Sequence, residues 1–216
     1  SSAPDPALKR AGSGAERPIK KTSVMKRTRL EKASKIKDAR AAAFAVLSRV
    51  ERGAYPEALI EAAFEGLGVL DRALSTEIIY GVLRWRIRLD WIIDLFSAIK
   101  SKKLEHNVLN ALRIGVYQLL FLTRVPASAA INGSVNLVKR EGGKKAGFVN
   151  AVLRKIDAGR AEIAYPVITA DPLKYASIVY SHPEWMVKRW VERFGAEEAV
   201  SLCRSNQSVP PKTLRV

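Results

Sequence analysis

The residues in this sequence best suited to chemistry are its cations. Lys26, Arg27, Arg29, Lys32, Lys35, Lys37 and Arg40 lie close together near the N-terminus. A second group, Lys139, Arg140, Lys144 and Lys145, flanks the glycines of KREGGKK, and Lys102 and Lys103 form a weaker third. Ammonium and guanidinium groups at this density suit the phosphates of a polyanion. The formal net charge of +16 is unevenly spread. Residues 1–40 carry twelve Lys or Arg against four acids, residues 41–100 seven against eight, and residues 101–160 eleven against three. Two basic regions separated by a near-neutral one predict a nucleic acid as partner, and the plain alternative is a solvated basic surface.

Covalent and metal chemistry find little support. Cys203 is the single cysteine, so it has no partner thiol, and its place in SLCRSN on a helical stretch reads as a small buried apolar residue. One cysteine also excludes an internal disulfide framework and fits a reducing compartment. His106 and His182 are far apart and lack metal-ligand company. GGKK has neither a preceding strand nor phosphate-loop spacing, so no cradle for a nucleotide cofactor is expected. Arg84, Arg113 and Arg154 sit on otherwise apolar helices, where pairing with a carboxylate or capping a carbonyl is the expected role. Asn132, Asn136 and Asn150 read as polar staples between helices. Trp85, Trp91, Trp185 and Trp190 stand at core spacing.

The elements that must position these groups are helical. Val108 to Leu122 is apolar at eleven of fifteen positions, and Asn110, Arg113 and Gln118 fall within an arc of roughly 140° on a helix. Such a segment must be wrapped by the rest of the domain, with Leu112, Val116, Leu119 and Leu120 buried and the Tyr117 hydroxyl reaching a partner. Gly115 within it predicts a close neighbour. Other helices are expected from near Asp38 past Val50, from Pro56 to Phe64 with Gly66 and Gly68 behind it, and from Leu74 to Trp85 after a cap at Asp71. Further helices should bury Leu89, Ile92 and Phe96, then Ile131, Val135 and Val138, then Val149, Val152 and Ile156. No segment before residue 160 alternates with period two, so residues 38–160 are expected to form an all-α domain.

Residues 1–37 read as a flexible basic leader, rich in Pro, Gly and Ser without apolar periodicity, and Met25 stands where a natural start could lie. Residues 157–172 read as a linker. After it, helices are expected from Pro183 to Gly195 and from Ala196 to about Ser205, and the last four residues read as the opening of a β-strand. A second, α/β region is expected to be only begun in residues 161–216. Without a signal segment or an apolar run of transmembrane length, the expectation is a cytosolic protein and no membrane partner.

Three stretches carry a family likeness: YGVLRWR at 80–86, RIGVYQLLFLTRVPASAAINGSVNLVKR at 113–140 and GFVNAVLRKI at 147–156. They resemble the NusB-like RNA-binding fold, in the form found at the N-terminus of Sun/Fmu (RsmB) family 16S ribosomal RNA cytosine-5 methyltransferases. YSHPEWMVKRWVERFGAEEAVSLCRSNQSVPPKTLRV at 180–216 looks like the segment leading into that family's methyltransferase part. The resemblance implies RNA recognition, with 16S ribosomal RNA as substrate and a ribosomal protein as a candidate further partner. It also implies S-adenosylmethionine as cofactor of the full-length parent. Such enzymes attack cytosine with a cysteine that follows a proline and release product with a second; Cys203 has neither context, so no catalytic residue, cofactor site or metal site is expected here. In NusB-like proteins the basic N-terminal end of the first helix belongs to the RNA surface, which implicates Lys26 to Arg40. The alternatives are a stand-alone NusB-like antitermination factor and a protein-interaction scaffold with incidental charge.

Overall fold

Ten α-helices follow from the apolar spacing, in a computed structural model that describes residues 38–139 and 143–208. They are α1 (Ala39–Val50), α2 (Pro56–Ala63), α3 (Val69–Arg84), α4 (Arg86–Phe96), α5 (His106–Phe121), α6 (Ala127–Val138), α7 (Gly143–Ala158), α8 (Pro172–Val179), α9 (Glu184–Phe194) and α10 (Ala196–Gln207). Asp38 caps α1, accepting from the Arg40 amide at 3.2 Å, and Pro56 opens α2 at its first turn, where a missing N–H costs nothing. Among the described residues there is no strand. The expected opening strand lies outside them, as do Lys26, Arg27, Arg29, Lys32, Lys35, Lys37 and Arg140.

The organising element is α5, as its composition predicts. Leu112 and Val116 are fully enclosed and Leu119 is 7% exposed, while Leu120 is only half-buried. The predicted polar arc does not face water: Asn110, Arg113 and Gln118 are buried as well. Arg113 and Gln118 find partners inside, and Asn110 Oδ1 accepts from Arg113 at 3.3 Å while its Nδ2 is left without a partner, so a helix with polar side chains is still wrapped on every side. Gly115 has the close neighbours it implies, since a Cβ there would meet the Leu153 side chain at 2.5 Å and Ser134 Oγ at 3.0 Å. The Tyr117 hydroxyl donates to Glu77 at 2.6 Å. Burial and the Glu77 carboxylate push its pKa well above that of a free phenol, against a smaller opposing effect of Arg84.

Several expectations need correction. Asp71 does not cap α3; the helix starts two residues earlier, after Gly68, and Asp71 sits in its first turn. Where the expected linker ends, a helix that apolar spacing did not predict begins, α8, started by Asp171, whose carboxylate accepts from the Lys174 amide at 2.9 Å. Arg84, Arg154, Asn132 and Asn136 lie on exposed helical faces, not between helices, and Arg154 bonds only along its own helix, to Asn150 at 3.2 Å. Trp185 is 65% exposed, so core spacing misplaced it. Trp91 and Trp190 are half-buried against the apolar clusters, and so is Trp85, whose ring lies tilted against Phe121 at 5.0 Å between centroids.

Helices α8–α10 enclose a small cluster of Ala176, Val187, Val200 and Cys203. Gly195, at φ +85°, makes the sharp corner from α9 into α10 that a side chain would strain. This trio is fastened to α4 by polar contacts. Ser181 Oγ accepts from the Ile87 amide at 2.9 Å and lies 3.4 Å from that of Arg88. It thus caps a helix that follows α3 too closely to supply a cap of its own. The Arg88 guanidinium donates to the Tyr165 hydroxyl at 3.1 and 2.9 Å and lies over the Tyr165 and Trp85 rings. Trp91 Nε1 donates to the Ala164 carbonyl at 3.1 Å.

Candidate nucleic-acid interface

Helix α5 brings together two cation groups that are separate in sequence, Lys102 with Lys103 and Lys139 with Lys144 and Lys145. Lys102 and Lys103 lie on a 3-10 turn, Ser101–Lys103, just before α5. Asp94 pins this turn, accepting from the Ser101 amide at 2.5 Å, and the Lys100 ammonium donates to the Asp94 carbonyl at 2.9 Å. Both Lys102 and Lys103 stay exposed. Lys144 and Lys145 lie in the first turn of α7, and Lys145 Nζ pairs with Glu105, the residue before α5, at 2.6 Å. Lys139 follows the last turn of α6 and is exposed. Since α6 runs back along α5, with Ser134 beside Gly115, its C-terminal end returns toward the same region. Two helix N-termini, those of α5 and α7, add partial positive charge there.

The floor of this region is an ion network. Arg113, 3% exposed, forms a bidentate pair with Asp90, both contacts at 2.7 Å, and meets Glu51 at 2.6 Å. Burial opposes the guanidinium charge, but the two carboxylates outweigh it and hold its pKa above the ordinary value. Glu51 also lies 3.4 Å from Arg86 and 4.0 Å from the exposed His106. Arg86 and His106 therefore join the basic surface through a carboxylate 35 or more residues away in sequence. Sequence reasoning did not select Arg86, and nothing in its local pattern distinguishes it from Arg84.

Arg40 is placed differently from the lysines. Its Nε donates to Gln118 Oε1 at 2.8 Å, and its stem lies against Gly133, where no Cβ would fit. Its side chain is only 16% exposed. Gln118 and Glu105 are thirteen residues apart, about 20 Å along the helix at 1.5 Å per residue. The start of α1 and the lysine cluster are thus distinct places on the surface.

The described residues suit binding better than bond-making. The Cys203 thiol is fully buried, and burial raises its pKa, so it is neutral and shielded. His182, bonded through Nδ1 to the Tyr180 carbonyl at 2.7 Å, is structural. No group of three or more His, Cys, Asp or Glu among the described residues is placed to hold a metal ion. A cleft of about 250 Å³ at the C-terminal end of α5 is lined by aliphatic side chains, Thr123 and Arg160. It has no carboxylate for ribose hydroxyls and no glycine turn for a nucleotide, so it does not fit S-adenosylmethionine. No helix among the described residues is long and apolar enough to cross a membrane.

Comparison with known proteins finds two separate matches along the chain. The NusB family model matches residues 37–158, and the model of the Methyltr_RsmF/B-like ferredoxin-like domain matches residues 182–216. The chain is 35% identical over 175 residues to a Bacillus subtilis protein named "Probable ribosomal RNA small subunit methyltransferase B", covering 80% of this chain and 38% of that protein. It is 32% identical over 178 residues to ribosomal RNA small subunit methyltransferase B of Shigella sonnei, covering 81% of this chain and 39% of that protein. The chain thus spans about two fifths of the length of these curated relatives. The solution structure of NusB from Aquifex aeolicus aligns with a TM-score of 0.48 at 27% identity, covering 62% of this chain and 96% of that one. With its helices α1–α7 lying within a match that takes in more than half of its residues, the chain belongs to the NusB family.

Proposed function

We propose that this chain is the RNA-recognition part of an S-adenosylmethionine-dependent 16S ribosomal RNA cytosine-5 methyltransferase acting in the cytoplasm. In this reading residues 38–160 bind RNA, residues 161–216 lead into the methyltransferase region, and methyl transfer belongs to the longer parent protein. The names of the relatives and the ferredoxin-like match support the methyltransferase assignment over a free-standing antitermination factor. The observation that carries RNA binding is the gathering of Lys102, Lys103, Lys139, Lys144 and Lys145 at the N-terminal end of α5, above the Arg113 network. Lys26, Arg27, Arg29, Lys32, Lys35, Lys37 and Arg140 extend the cationic surface in the same proposal. Arg40 contributes mainly by holding α1 to Gln118. A ribosomal protein is a further proposed partner.

Phosphate contacts position without specifying sequence. If about five are made to single-stranded RNA, log affinity should fall with log salt at a slope near −3.5, about −0.7 per phosphate. Charge reversal at Lys102, Lys103 and Lys144 should flatten that slope by roughly 2 and weaken binding to unrelated sequences alike. Wild-type affinity and slope in this triple variant would refute RNA binding at the α5 end.

A further inference from the structure

The basic chain has one face of opposite character. Residues 54–80 contain Glu57, Glu61, Glu65, Asp71 and Glu77 against the single cation Arg72, in a molecule of net charge +16. This stretch forms α2 and most of α3, which ends on a second exposed cation, Arg84, and the two are joined by a tight turn in which Arg72 Nε donates to the Leu67 carbonyl at 2.9 Å. Both helices pack on α1, and they meet where the Tyr80 hydroxyl of α3 stands 3.4 Å from the Glu57 carboxylate of α2. Their inner sides bury Leu59, Phe64, Leu67 and Ile78. On the outside Val69 is 83% exposed, Leu70 85%, Tyr55 80% and Tyr80 41%. Large apolar side chains held this far into water, rimmed by charge, mark an interaction surface.

We propose that the outer face of α2 and α3 is a docking site for a lysine- and arginine-rich protein segment that also presents apolar side chains. Charge selects this occupant. Glu57, Glu61, Glu65 and Glu77 are all exposed, so the face repels the phosphates that the α5 end attracts. A two-fold pairing of two copies would set the same glutamates against each other. A basic polypeptide is repelled by most of this molecule and steered to this face, where Val69 and Leu70 supply the contact that outlasts encounter. The inference does not rest on the lysine cluster, so it and the RNA reading can fail separately.

The test uses the full chain and a fluorescent helical peptide with leucines on one side and lysines on the other, read by anisotropy. Leu70→Asp is the informative variant, because it removes apolar contact while adding an attractive charge, at a position exposed enough to leave the fold intact. Docking predicts that Leu70→Asp weakens peptide binding about tenfold, and that Glu57→Lys with Glu61→Lys does so too. Unchanged circular dichroism and an unchanged salt slope for RNA should accompany both. Tighter or unaltered binding by Leu70→Asp would overturn the proposal, as would equal binding of a peptide with its leucines replaced by alanine. A dimer in sedimentation that Leu70→Asp dissolves would overturn it in favour of a second copy of the chain.

Discussion

The α1–α7 bundle and the α8–α10 trio are both helical, yet they are held together by different means. The bundle encloses twenty-nine buried residues in one cluster, while the trio encloses four, so only the first has a core able to stabilise itself. What the trio lacks in core it gains by docking: Ser181 caps α4, Arg88 bonds Tyr165, and Trp91 bonds the Ala164 carbonyl. Ser181 adopts φ +55°, a conformation that costs a non-glycine residue on the order of 1 kcal/mol and persists because the cap requires it. Similar helix content therefore hides a dependence of one region on the other.

Cutting the two regions apart should have the largest effect. A chain ending at residue 160 is expected to keep a cooperative thermal transition, whereas a peptide of residues 161–208 should show none, because a core cluster of four side chains cannot offset the cost of ordering three helices. A cooperative melt of that peptide would break the comparison.

The next effect lies inside the bundle. Asp90→Ala leaves Arg113 buried with half its partners gone and should destabilise by about 3–5 kcal/mol in urea unfolding. A loss below about 1 kcal/mol would mean that water reaches this site, and the wrapped view of α5 would have to be given up.

Ser181→Ala sharpens the boundary between the regions. Loss of the cap should cost about 1 kcal/mol and speed hydrogen exchange at the Ile87 and Arg88 amides, leaving the α5 amides protected. Equal protection of Ile87 in the variant would show that the cap is dispensable.

The smallest effect is one of pH. Burial lowers the folded pKa of His182 below 6.5, against a lesser raising effect of its bond to the Tyr180 carbonyl. The unfolded chain therefore takes the proton first. The stability contribution is complete above the unfolded pKa and is lost as pH falls through it toward the folded value. The thermal transition of the whole chain should shift downward as pH falls below about 6.5, and His182→Gln should remove that share of the shift. An unchanged pH dependence in the variant would assign the shift to other groups.

The sequence by itself determined the helices other than α8, their order and the core helix α5, because apolar spacing and proline or glycine stops act locally. It also determined that the chain is cationic and where along its length. Only the tertiary structure decided which cations share a surface: Lys145 meets Glu105 across forty residues, and Arg40 is drawn to Gln118 across seventy-eight. That Asn110, Arg113 and Gln118 share one arc was legible, but periodicity records polarity and not partners. Asp90, Glu51 and Arg40 come from other elements to satisfy two of them. The same holds for Ser181, whose φ and cap on α4 exist only once the regions touch, since a hydrogen bond between positions ninety-four residues apart leaves no periodic trace in either.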